Sequence, residues 1–241
     1  MKNKIIKVDR IKTINEAIEL QNAGVDLLSI SLSKNQWFND ERFVTNKIAQ
    51  SIKKELTKSK LVIEVGNTYD SINIIDEIKD IGADYIQISK HNLPTIDFLT
   101  NAKKSNINII YAGVTASYED DPNWLLSGYL DLIDINISYF QIDLLGDIEN
   151  SWDFFSKESP NFSEELQIED IDSISQKHPI LVTIDFKPDT VIEIIDKMNN
   201  IKGIYMTLGE SSMKDDFHYF SYQSILDIVN KFNQKKHNVM L

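Results

Sequence analysis

Lys7 and Asp9 stand two residues apart in the stretch Lys4-Ile-Ile-Lys-Val-Asp9-Arg10, where Ile6 and Val8 occupy the alternate positions. Successive side chains of a strand point to opposite faces, so a strand here sets an ammonium and a carboxylate on one side and aliphatic groups on the other. Buried parallel strands are ordinarily apolar on both faces, and charges in mid-strand are costly unless they pair or line a wet cavity. The pair is also equipment for proton transfer. A carboxylate with its pKa raised by burial can take a proton from carbon next to a carbonyl or imine, while the lysine orients it by charge or, if desolvated, forms a Schiff base.

The same alternation recurs at Ser29 and Ser31, Glu64, Gln87 and Ser89, Asp134 and Asn136, Thr183 and Asp185, and Tyr205 and Thr207, each near the end of an apolar run. If these side chains share one interior, Asp9, Glu64, Asp134 and Asp185 crowd a single mouth. Their repulsion would hold a proton on at least one of them and prepare an acid/base pair. Plainer duties compete: Ser29, Ser31 and Thr207 as small fillers, Glu64 and Asp134 as salt-bridge partners of Lys7, Asp9 and Asp185 as caps. The expected catalytic set is Lys7, Asp9, Asp134 and Asp185, with Asp9 as base and Asp134 or Asp185 as acid. Glu64, Gln87, Ser89, Asn136 and Tyr205 would then face the substrate. Hard carboxylate oxygens also suit Mg²⁺ or Mn²⁺, a further reading of the same four acids. The histidines (His91, His178, His218 and His237) fall in loops or at helix ends, which argues against a histidine-rich zinc or iron site. No metal or cofactor is assigned.

Positioning such a ring requires strands that converge. Apolar runs near residues 4–10, 26–32, 61–66, 84–89, 108–112, 131–136, 179–185 and 203–208 alternate with helical patterns near 12–24, 42–56, 71–81, the stretch after Pro94, 121–126, 163–176, 188–198 and 222–232. Eight strands alternating with helices, without a linker, predict an α/β fold of the (β/α)₈ TIM-barrel type, eight parallel strands with outer helices, as a single domain over residues 1–241. A doubly wound open sheet is the competitor. A repeated template favours the barrel: Gly24-Val-Asp-Leu-Leu-Ser-Ile-Ser31, Gly82-Ala-Asp-Tyr-Ile-Gln-Ile-Ser89 and Gly128-Tyr-Leu-Asp-Leu-Ile-Asp-Ile-Asn136 place one unit on strands two, four and six, and Gly203 opens a weaker copy. Recurrence on alternate strands suits a barrel, whose interior layers come from alternate strands. The segment Ser138 to Phe155, with Tyr139, Phe140, Trp152 and Phe154, is either a lid over the mouth or an ordinary packed loop and short helix.

Composition narrows the function. The 241 residues carry a formal charge of −12, so nucleic acid and anionic membrane would be repelled, and no apolar run is long enough to span a bilayer. The absence of cysteine removes disulfides, thiolate metal sites and a cysteine nucleophile. A soluble cytoplasmic protein acting on a small molecule, as monomer or homodimer, is expected.

In these residues and their order the chain resembles phosphoribosylanthranilate isomerase, the tryptophan-pathway barrel that performs an Amadori rearrangement. Lys7-Val8-Asp9-Arg10 stands where that family has Lys-Ile-Cys-Gly, Ala23-Gly-Val-Asp26 where it has Ala-Gly-Ala-Asp, and Asp40-Glu-Arg42-Phe-Val44 where it has Ser-Pro-Arg-Tyr-Val. Ile86-Gln-Ile-Ser-Lys90 matches Val-Gln-Leu-His-Gly, and Thr183-Ile-Asp-Phe-Lys-Pro188-Asp-Thr-Val191 matches Ala-Gly-Gly-Leu-x-Pro-Glu-Asn-Val. The resemblance implies Asp9 in the place of the cysteine base, Arg42 as a carboxylate clamp, and Asn136, with Asp134 one step deeper, in the place of the aspartate acid that closes the sixth strand. Where the family holds its phosphate with Gly-Gly-Thr-Gly and with glycines after the seventh strand, this chain has Gly146-Asp-Ile-Glu149 and Ile184-Asp185. Glycines let backbone N–H groups close on a phosphate, whereas carboxylates repel it. The expectation is a divergent isomerase-like enzyme using carboxylate acid/base chemistry, of isomerase or lyase type, on a small carbonyl or amine compound without the ribose phosphate. The alternative is an inactive barrel that serves as a binding or partner protein.

Overall fold

The computed structural model describes residues 4–34, 41–65, 74–91, 94–127, 137–209 and 218–238. Its strands are β1 (Ile5–Asp9), β2 (Leu27–Ser31), β3 (Lys60–Glu64), β4 (Tyr85–Ser89), β5 (Asn108–Ala116), β6 (Ile137–Leu144), β7 (Ile180–Thr183) and β8 (Gly203–Thr207). They pair in sequence order, all parallel, and β8 closes on β1 with Lys7 level with Tyr205 and Asp9 with Thr207. Closure removes the two edges that a doubly wound sheet would leave, so the TIM-barrel expectation holds.

Around it lie α1 (Ile14–Ala23), α2 (Asn46–Glu55), α3 (Ile74–Ile81), α4 (Ile96–Lys104), the short α5 (Ser151–Asp153), α6 (Ile168–Lys177), α7 (Val191–Lys197) and α8 (Tyr222–Asn238). Their ends follow local chemistry. Thr13 and Glu16 form a capping box, and Gly24 stops α1 in the left-handed region at φ 99°. Thr45 caps α2 by accepting from the Ile48 N–H, so that helix starts at Asn46 and Arg42 lies in the loop before it.

Alternation sorts the strand residues into two cores. Ile6, Val8, Leu28, Ile30, Ile63, Ile86, Ile88, Phe140, Ile142, Val182, Ile204 and Met206 pack outward against the helices. Leu27, Val62 and Ile110, joined by Ile5, Tyr85 and Tyr139, form a separate plug in the lumen. The repeated template has a structural duty at the amino-terminal ends of its strands. Asp26, before β2, accepts the Ile6 N–H of β1 at 2.8 Å, and Asp84, before β4, accepts the Leu61 N–H of β3 at 2.9 Å. Gly203 serves by its size: a Cβ there would lie 2.0 Å from the Ile5 carbonyl oxygen across the β1/β8 seam.

One strand lies elsewhere than the sequence pattern implied. β6 is Ile137–Leu144, held to β5 by pairs such as Tyr111↔Phe140 and Thr115↔Asp143 and to β7 by Phe140↔Ile180 and Asp143↔Thr183. The run 131–136, with Asp134 and Asn136, lies outside the described residues. Two alternating runs sit end to end here, and the repeated template matches the first while the pairing partners on β5 and β7 hold the second. Tyr139 and Phe140 are therefore barrel residues and no part of a lid. Beyond β6, Trp152 and Phe155 are buried in α5 and in the π-helical turn Phe154–Glu158.

Candidate active site

Above the apolar plug the lumen turns polar, through Lys7 from β1, Ser29 from β2, Gln87 from β4, Gln141 from β6, Thr183 from β7 and Tyr205 from β8, all buried. The Lys7 ammonium pairs with Asp9 and donates to Gln87 Oε1 at 2.6 Å and Gln141 Oε1 at 3.4 Å. Gln141 Nε2 donates to the other Asp9 oxygen at 2.9 Å. Lysine, aspartate and glutamine thus close a ring that fixes the carboxylate at the carboxyl end of β1. Burial pushes the Lys7 pKa down, and the charges of Asp9 and Glu64 oppose it. With three acceptors around its nitrogen, Lys7 is arranged to orient Asp9 rather than to attack a carbonyl.

A second polar chain crosses the mouth. On β6, Asp143 Oδ2 accepts the His218 N–H at 2.8 Å, and Oδ1 lies 2.6 Å from His218 Nδ1. His218 Nε2 is 3.0 Å from Ser151 Oγ, which donates to Asp185 Oδ1 at 2.9 Å. Asp185 also accepts the Trp152 N–H at 2.7 Å, and Lys187 lies 3.5 Å from its outer oxygen. Tyr205 is where the two systems meet electrostatically. Its hydroxyl pKa is raised by burial first, then by the charges of Asp143 and Asp9.

Of the expected residues, then, Lys7, Asp9, Gln87 and Tyr205 come together in the lumen. Glu64 ends β3, near enough for its charge to act on Lys7, whose ion-pair partner is Asp9. Ser89 ends β4, and its hydroxyl accepts the His91 N–H at 3.2 Å. Asp185 sits at the rim. Arg42 donates to the Arg10 carbonyl at 2.8 Å and pairs with Glu16, so its guanidinium is engaged by the protein. Arg10, in the place of the family's glycine, keeps the glycine-like backbone at φ 68° while its side chain reaches the Leu208 carbonyl at 2.6 Å.

Gln141, Asp143, Ser151 and His218 are additions that the sequence reading missed. The alternation Tyr139, Gln141, Asp143 against Phe140, Ile142, Leu144 was the signal for the first two. Nothing local marks His218, 75 residues beyond Asp143. Among the described residues no group of three or more histidines and carboxylates is arranged to hold a metal ion, and no helix is long and apolar enough to cross a membrane.

No family model and no curated protein sequence matches the chain. Its structure is similar to that of N-(5'-phosphoribosyl)anthranilate isomerase from Pyrococcus furiosus, with a TM-score of 0.65 at 14% identity over 96% of this chain and 99% of that one. The dimeric phosphoribosylanthranilate isomerase of Thermotoga maritima, solved as generated monomers, gives 0.63 at 14% identity over 96% and 99%. Thiamine phosphate pyrophosphorylase from Pyrococcus furiosus gives 0.58 at 12% over 100% and 98%. The likeness defines the architecture, a phosphoribosylanthranilate-isomerase-like TIM barrel.

Proposed function

We propose that the barrel mouth carries out acid/base isomerisation with Asp9 as base and Asp143 as acid, on a small carbonyl or amine-bearing compound that lacks a ribose phosphate. The observation that carries this reading is the bond across the lumen from Gln141 on β6 to Asp9 on β1 at 2.9 Å, with Asp143 two residues beyond Gln141 and so on the same face of β6. These are the strands on which the resembled family keeps its base and acid, and Asp143 takes the role that the sequence reading gave to Asp134 or Asp185. In such a reaction Asp143 protonates an oxygen of the substrate and Asp9 removes a proton from the neighbouring carbon. The enol or enamine formed then tautomerises, and the proton count is restored. Lys7, Gln87 and Gln141 hold Asp9 in place.

Loss of the phosphate follows from what stands at the rim. Where the resemblance implies a phosphate, the carboxylate of Asp185 takes the Trp152 N–H and the Ser151 hydroxyl. An anion of the protein already uses those donors, and a second one would be repelled. A partner-binding barrel is the second reading, favoured by how completely Lys7 and Asp9 satisfy each other.

The test is solvent deuterium incorporation. Hydroxy-aldehydes, ketoses and amino sugars are incubated with the protein in D₂O and followed by proton NMR. Exchange at the carbon beside the carbonyl, lost in Asp9→Asn, is expected. Exchange that survives Asp9→Asn removes the base, no exchange with any probe favours the binding reading, and ready turnover of N-(5'-phosphoribosyl)anthranilate overturns the substrate assignment.

A further inference from the structure

The chain Asp143–His218–Ser151–Asp185 runs from the mouth to the rim, through four side chains that can each carry an exchangeable proton. Its separations are 2.6, 3.0 and 2.9 Å. Ser151 is fully buried, so its hydroxyl is out of a substrate's reach despite the acid–histidine–serine order. The far end differs, since the Asp185 side chain is 20% exposed and borders the surface lysine Lys187. A serine hydroxyl has one proton, and two neighbours compete for it, His218 Nε2 and Asp185 Oδ1. That competition is what allows a proton to be passed rather than parked.

The geometry points to His218, Ser151 and Asp185 as a proton relay that resupplies Asp143 from solvent. The inference rests on Asp143 as the acid of the proposed reaction. In the relay, Asp143 has just lost its proton to the substrate. The Nδ1–H bond of His218 breaks as an O–H bond forms on Asp143, and Nε2 takes the hydroxyl proton of Ser151. Ser151 in turn takes the proton that Asp185 has drawn from hydronium at the rim. One proton enters at Asp185 and one arrives at Asp143, and each intermediate group ends with the number it began with. His218 acts through Asp143 and is a positioning residue.

The relay is read without any substrate, by NMR of protein labelled with ¹⁵N at histidine, with His218 assigned from the signal lost in His218→Gln. The exchange of its Nδ1 proton with water is measured by saturation transfer. Ser151→Ala keeps the bond to Asp143 and cuts the path, and it should slow that exchange about 100-fold, the scale of a positioned proton transfer. Asp185→Asn keeps the acceptor for Ser151 but cannot carry the proton, and should slow it comparably. Exchange equal to or faster than wild type in both variants, with urea midpoints unchanged, overturns the relay. Failure of the acid assignment looks different: Asp143→Asn would then keep the deuterium incorporation described above.

Discussion

Asp143 and His218 are joined twice, by the backbone N–H of His218 to one carboxylate oxygen at 2.8 Å and by its ring Nδ1 to the other at 2.6 Å. A strand residue and a loop residue 75 positions apart are thereby fixed in one orientation. Replacing the ring by methyl keeps the backbone bond and leaves one oxygen of a buried acid without its strongest donor. His218→Ala should therefore cost about 1–3 kcal/mol in urea unfolding, the usual penalty for stripping a partner from a buried polar group. A midpoint indistinguishable from wild type would mean that the ring contact is not held in solution.

Lys7 and Asp9 make the sharper stability experiment. Both are buried, with Asp9 3% exposed and Lys7 not at all, so removing the ammonium strands a buried carboxylate with Gln141 as its remaining side-chain donor among the described hydrogen bonds. Lys7→Met should destabilise by about 3–5 kcal/mol, whereas Lys7→Met with Asp9→Leu should lose much less, because no unpaired charge remains. A double-mutant cycle on urea midpoints measures the coupling. Additive losses would show that the pair does not interact as described.

How far the site could be read from the chain depended on how local its signals are. The template Gly-x-Asp with alternating apolar residues marked β2 and β4 closely, because the glycine that ends a helix is set by local backbone conformation, and the aspartate two residues on stands at the start of the strand, where it takes an N–H of the strand before it. Lys7, Asp9, Gln87 and Tyr205 were found by the same period of two. At the sixth strand that period is satisfied by both 131–136 and 137–144, and the choice is made by partners on β5 and β7, which no local pattern records. Asp134, one of the expected acids, lies outside the described residues, and Asp143 is the carboxylate that the described β6 brings to the mouth. His218 and Ser151 lie in connections, where position is set by tertiary contact alone, and histidine in a loop carries no periodic mark.

Gly203 and Gly82 are glycines for different reasons, and one substitution separates them. At Gly203 a methyl would overlap the Ile5 carbonyl at 2.0 Å, with backbone on both sides of the clash and nothing flexible to yield. At Gly82 the nearest atom is a Lys53 side-chain carbon at 3.7 Å, and only the left-handed φ of 79° resists. Gly82→Ala should cost about 1–2 kcal/mol. Gly203→Ala should cost at least about 3 kcal/mol, or prevent folding, since the β1/β8 seam must part. Equal losses on thermal or urea unfolding would contradict the closure of the barrel at this point.

Lys4, at the other end of β1 from the site, ties the seam at the base of the barrel. Its ammonium donates to the carbonyls of Met198, Asn199 and Ile201 at 3.1, 2.9 and 2.9 Å, in the turn that leads from α7 into β8. Burial lowers its pKa from 10.5 to about 8, with Asp172 and Asp196 opposing and Lys202 adding to the shift. The folded pKa lies below the unfolded one, so between about pH 8 and 10.5 the unfolded chain binds more protons, and stability owed to Lys4 rises with pH across that window. Below pH 8 both states are charged and the cost of burying the ammonium is fully present. Lys4→Met removes three hydrogen bonds and should lose about 1–3 kcal/mol at pH 7. It also removes the titration, so the gap between wild type and variant should widen from pH 7.5 to pH 10 when urea midpoints are compared. If the gap narrows instead, the three carbonyls favour the ammonium more than burial opposes it, and the direction of the shift is reversed.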